Sequence, residues 1–164
     1  MELPAEIWEA ILLDTDVEDL PSVCFQHSTI YKVCNHPQFW KRIFEREKLP
    51  LIRPGTNFGQ WFREYQYLKE IPSRVEDILR GPEFKIEISR DILQEIRGGS
   101  VIISWIWLSA YKNDRKILLG KRIYHAIPGI STQYYYCIAK KKSRYLSEDD
   151  VRQILKVALL HKPT

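Results

Sequence analysis

Four side chains of types that hold transition metals crowd into one short stretch of this 164-residue chain: Cys24, His27, Cys34 and His36. Cys24 and His27 would share a helix face. Structural zinc sites draw their ligands from close pairs such as C-x₂₋₄-C with H-x₃₋₅-H, a spacing this cluster lacks. A buried cysteine is commonly just a small hydrophobe, so neither a metal nor any other cofactor is expected. Nucleophilic chemistry has no better support. There is no Gly-x-Ser-x-Gly elbow and no glycine loop opening a helix to cradle phosphate, since Gly98-Gly99 follows a helix. Asp149 and Asp150 stand in the first turn of a helix, where capping and the helix dipole account for them. No catalytic residue, and no enzymatic activity, is expected.

A second group of side chains suits polyanions. Lys140, Lys141, Lys142 and Arg144, followed by Tyr145, come after Tyr134-Tyr135-Tyr136, and Lys112, Arg115, Lys116, Lys121 and Arg122 lie upstream. A sheet presenting aromatic rings among cations can stack bases and neutralise phosphates. Alternatively, the tyrosines fill a sheet core while the lysines solvate edges and turns. No recognisable RNA-binding motif is present, so the second reading is preferred, with nucleic acid kept as an alternative partner.

The elements that must position these groups belong to an ordinary globular chain, 45% hydrophobic and 28% charged, with 12% aromatic residues to build a core. The longest apolar stretch, Val101 to Tyr111, is interrupted by Ser104 and Ser109. It falls well short of the ~20 residues of a membrane span, so no membrane partner is expected. The N-terminus carries Glu2, Glu6 and Glu9 and lacks the pattern of a secretory signal. Three widely spaced cysteines do not make a disulfide framework. A reducing, intracellular setting is the expectation.

The formal charge of +4 hides an asymmetry. Residues 1–82 carry 10 Lys/Arg against 13 Asp/Glu, net −3, and residues 83–164 carry 15 against 8, net +7. The periodicity changes at the same point. Before Arg80-Gly81-Pro82 the chain reads as helices: one after Pro4 with Ile7, Trp8, Ile11 and Leu12, one capped by Asp16, and one with Phe39, Trp40, Ile43 and Phe44. Two short helices follow, around Trp61, Tyr65 and Leu68 and around Val75, Ile78 and Leu79. Beyond Pro82, Phe84, Ile86 and Ile88 alternate as a strand, and Ile92, Leu93 and Ile96 suggest a short helix. Val101–Tyr111, rich in β-branched and aromatic residues, reads as a strand in a hairpin with Lys116–His125, turning at Asn113-Asp114. After Pro128-Gly129 come a strand from Gln133 to Lys140 and a final helix capped by Ser147, with Ile154, Leu155, Ala158 and Leu159 inward. The expected class is α+β: a helical module at residues 1–50, a helical linker at 51–82, and a small antiparallel sheet with flanking helices at 83–164.

The N-terminal module resembles the F-box, on Leu3-Pro4-Ala5-Glu6-Ile7-Trp8, Ile11-Leu12, Asp19-Leu20 and the closing Pro37-Gln38-Phe39-Trp40, with the spacing from Asp19 to Trp40 in register. Its middle helix departs, carrying Gln26-His27-Ser28-Thr29-Ile30 where the family often has Val-Cys-Lys-x-Trp. Asp16-Val17 and the Cys34-x-x-Pro37 before Phe39-Trp40 are similar to the divergent F-box-like proteins of large DNA viruses. The resemblance implies a three-helix module that binds a Skp1-type adaptor of a cullin ubiquitin ligase through Leu3, Pro4, Ile7, Ile11 and Leu20, with Trp40 as a rim anchor. The rest of the chain would select an unknown protein substrate. Spacing alone also permits these residues to pack on the following helices. The alternative functions are a viral structural protein that reuses the module for assembly, and a nucleic-acid-binding module built on the basic sheet.

Overall fold

The structure, a computed structural model, describes residues 3–96, 101–113, 116–126, 129–138 and 144–162. The chain forms two compact units, Met1–Lys69 and Glu70–Thr164, and its class is α+β, with N-terminal helices followed by a four-stranded antiparallel sheet with flanking helices.

The first unit holds α1 (Ala5–Asp14), a 3-10 turn (Val17–Asp19), α2 (Leu20–Val23), α3 (Ser28–Asn35), α4 (Pro37–Arg46) and the beginning of α5 (Phe58–Arg80). Helix α4 shows why these sequences fold as they do. His36 Nδ1 accepts from the backbone N–H of Gln38 at 3.1 Å, Pro37 takes the first turn, and Phe39, Trp40, Ile43 and Phe44 bury one face. Trp40 lies parallel to Trp61 at 6.2 Å, and Phe44 meets Trp61 edge-on at 5.6 Å, so aromatic packing fills the centre of the unit. Burial and a hydrogen bond to Glu47 push the Tyr65 phenol well above its usual range. Asp16, expected to cap a helix, precedes the 3-10 turn and makes no side-chain cap bond.

The two short helices expected between Trp61 and Leu79 are one helix, α5, which continues through Pro72. Pro72 is exposed, and it removes one amide from the helix ladder without ending the helix.

In the second unit β1 (Phe84–Ile88), β2 (Ile117–Ala126), β3 (Gly129–Ile138) and β4 (Arg144–Leu146) form a meander in the order β1-β2-β3-β4. The register places Phe84, Lys121, Tyr134 and Leu146 in one row and Ile88, Ile117 and Ile138 in another, all on one face. That face is largely buried, and the end of α5 reaches it: Leu79 is buried and its carbonyl accepts from Tyr134 Oη at 3.3 Å. The helix α7 (Glu148–Leu160) begins where Ser147 Oγ accepts from the Asp150 amide, and it buries Val151, Ile154 and Leu155. Its Arg152 Nε donates to Glu76 Oε1 at 2.6 Å.

The expected strand over Val101–Tyr111 is instead the helix α6 (Val101–Asn113). Ile103, Ile106 and Ala110 are buried at steps of three and four, and α6 packs on the 3-10 turn Arg90–Glu95. Helical burial therefore overrides the β propensity of the individual residues. The predicted hairpin is corrected accordingly: β2 pairs with β1 and β3. Asp114, Pro128 and Gly98-Gly99, read as turn or break signals, lie outside the described residues.

Candidate functional site

Helix α1 is apolar on more than one side. Leu12 turns inward and is buried, and Trp8 and Leu13 are half-buried. Ile7 and Ile11, one helical turn apart, remain 46% and 45% exposed, and Leu3 is 41% exposed in line with them. Pro4, also exposed, starts the helix: its carbonyl accepts from the amides of Ile7 at 3.1 Å and Trp8 at 3.2 Å. The helix is held in place from its other side. Glu9 Oε1 pairs with Arg42 Nη1 at 2.7 Å, and Arg46 Nη1 donates to the carbonyl of Leu13. A cavity of about 260 Å³ opens beside it, lined by residues including Ala5, Glu9, Val33 and Phe39.

The other two residues expected on this surface are not there. Leu20 and Trp40 are fully buried, and Trp40 Nε1 donates to the Cys34 carbonyl at 2.7 Å. The rim-anchor role expected of Trp40 is corrected by this inward bond, since the indole N–H is satisfied within the core.

The cysteines and histidines of the cluster serve the fold of the first unit. Cys24 and Cys34, both fully buried, are joined in a disulfide across a separation of 10 residues. This corrects the expectation of unpaired thiols. His27 Nδ1 accepts from the Thr29 amide at 3.1 Å and so caps α3, as His36 caps α4. Among the described residues no group of three or more His, Cys, Asp or Glu side chains is placed to hold a metal ion, and no helix is long and apolar enough to cross a membrane.

In the second unit the three tyrosines expected as core or stacking platform are all buried: Tyr134 at 8%, Tyr135 at 6% and Tyr136 at 8% exposure. Tyr135, on the outer face of the sheet, lies flat over Gly120, where an added Cβ would sit 2.2 Å from Tyr135 Cζ. The Arg122 guanidinium covers the ring at 4.5 Å from its centroid. Arg144 and Tyr145 are exposed, while Lys140, Lys141 and Lys142 lie outside the described residues.

Lys121, read in the sequence only as part of a basic surface, is 4% exposed. Its Nζ donates to the carbonyls of Leu79 and Gly81, each at 2.6 Å, and so closes the C-terminal end of α5. The signal was parity: Lys121 falls in the inward series Ile117, Leu119, Lys121 of β2.

Comparison of the chain with models of protein families, with curated proteins and with solved structures finds no match.

Proposed function

We propose that the chain is a protein-protein adaptor, whose N-terminal unit docks on a Skp1-type adaptor of a cullin ubiquitin ligase while its second unit engages a protein substrate. The observation that carries this reading is the exposed row Leu3, Ile7 and Ile11 on a helix that already turns Leu12 inward and half-buries Trp8 and Leu13. Water-exposed apolar rows on a small helical unit suit a partner that removes them from water. The in-register F-box-like pattern names the partner class. On this reading the chain contributes to ubiquitin transfer by holding a substrate near the transferring subunits, a proximity effect, with the covalent chemistry done elsewhere.

A pull-down with a purified Skp1-type adaptor tests it. Full burial of an isoleucine is worth about 1.5–3 kcal/mol. Nearly half of Ile7 and Ile11 is still exposed, so Ile7→Ala with Ile11→Ala should weaken binding by roughly tenfold to a hundredfold. The thermal midpoint should barely move. Failure of the wild-type chain to bind at micromolar adaptor overturns the proposal and promotes assembly through the same face. Nucleic-acid binding by stacking is disfavoured by the burial of Tyr134, Tyr135 and Tyr136.

A further inference from the structure

Strand β3 is longer than the partner on one of its sides. β2 accompanies it from Gly129 to Ile138, whereas β4 pairs only with Tyr134, Tyr135 and Tyr136. Among the described residues no strand lies beside Gly129–Gln133 on the β4 side. Gly129 to Thr132 are exposed there. Alternate residues of such an edge present free N–H and C=O groups, a template for another extended chain.

A cavity of about 700 Å³ opens where β4 leaves this edge for α7, and Thr132, Gln133, Tyr145, Lys121, Arg80 and Glu148 are among its walls. Its polar groups are incompletely used. An ammonium carries three donors, and Lys121 spends two on carbonyls and forms no ion pair among the described residues. Gln133 Oε1 is buried without a hydrogen-bond partner. The one acid among the described residues of the wall, Glu148, already has Arg152 at 3.9 Å. Two cations, Lys121 and Arg80, thus face an opening in a unit, Glu70–Thr164, that carries 17 Lys/Arg against 11 Asp/Glu, net +6.

We propose that the second unit binds an extended acidic peptide, which adds as a strand along Gly129–Gln133 of β3 and sets a carboxylate in the cavity beside Arg80 and Lys121. The strand edge supplies affinity through backbone hydrogen bonds, and the two cations select the acid. The inference rests on reading this unit as the substrate-recognition end and names the class of substrate. A nucleic acid would meet the charge but has no amides to continue the ladder.

The test is fluorescence anisotropy on the full chain, with a short fluorescein-labelled peptide alternating glutamate and valine and ending in a free carboxylate. Saturable binding is expected. Replacing the glutamates by lysine, or N-methylating alternate amides of the peptide, should each weaken it by at least about tenfold. Lys121→Met would also remove bonds that hold α5, so the informative variant is Arg80→Glu, an exposed position, with an expected loss of at least about tenfold and an unchanged thermal midpoint. Absence of saturable binding overturns the proposal, as does indifference to the lysine swap or to N-methylation. Binding of a single-stranded oligonucleotide that is lost in Arg80→Glu, without peptide binding, overturns it in favour of nucleic acid. Adaptor pull-downs on the same preparation separate the two readings: adaptor binding without peptide binding sinks this proposal alone, and the reverse sinks the adaptor reading alone.

Discussion

Reducing the bond between Cys24 and Cys34 should loosen the first unit selectively. The two cysteines are separated by 10 residues, and restoring the freedom of a loop that size in the unfolded chain costs about 3 kcal/mol of stability in the chain-entropy description. For a small unit this is a large share of the few kcal/mol available. The bond also sits under the aromatic core, since Trp40 donates to the carbonyl of Cys34. The first assay is a thiol titration in denaturant without reductant. The sequence holds 3 cysteines and Cys137 is free, so one reactive thiol per chain is expected before reduction and three after it. The second is urea unfolding followed by tryptophan emission, with and without reductant. The transition of the first unit should move to lower urea by an amount equivalent to about 3 kcal/mol. Three thiols before reduction would refute the pairing, and one thiol with an unmoved midpoint would refute the loop-closure reasoning.

Two further outcomes concern the second unit. Gly120→Ala should destabilise it by about 1–3 kcal/mol in urea unfolding, because the new methyl would meet Tyr135 Cζ at 2.2 Å and force the ring off its seat; an unchanged midpoint would show that Tyr135 does not lie there. Glu76 has its carboxyl held below the usual range, first by the hydrogen bond from Arg152 and then by its charge. The ionised form is the one favoured by folding, so this contribution is present above the ordinary carboxylate range and disappears as pH falls through the lowered value. Arg152→Gln should therefore lower the midpoint at neutral pH and leave it nearly unchanged in strong acid; an equal loss at both would contradict the pairing.

How much of this could be read from the chain depends on whether the signal was local. Helix α7 could, because Ser147, the acidic first turn and the row Val151, Ile154 and Leu155 are all contained in one element. The β1 alternation was visible for the same reason. Helix α6 was hidden: Val101, Ile102, Ile103, Ile106 and the two tryptophans favour strands individually, and packing against Arg90–Glu95 and β3 selects the helix. The two short helices read around residues 61–68 and 75–79 are one because a single helix buries Trp61, Tyr65, Leu68, Val75 and Leu79 along its length. The candidate docking row divides in the same way. That Ile7, Ile11, Leu20 and Trp40 are apolar is plain from the sequence, but which of them stay in water depends on tertiary packing, which buries Leu20 and sets Trp40 against Trp61 of α5 and the Cys34 carbonyl of α3. The disulfide was invisible for a third reason, because spacing along the chain says nothing of how α2 and α3 bring two sulfurs together.

The buried ammonium of Lys121 has one more effect, on the fidelity with which β2 and β3 align. Ten residue pairs join these strands, and both are rich in Ile, Leu and Tyr, so a slip by two residues would keep every side chain on its proper face and cost little apolar burial. Such a slip carries Lys121 about 7 Å along the strand. The ammonium would then leave the carbonyls of Leu79 and Gly81 and stand in an apolar layer with its charge unsolvated. Greasy side chains tolerate many alignments, whereas a cation that can be satisfied at one place only tolerates one. Lys121 thus acts as an alignment pin beside the seat of Tyr135 on Gly120: both penalise misregistered hairpins that the Ile and Leu side chains alone would accept.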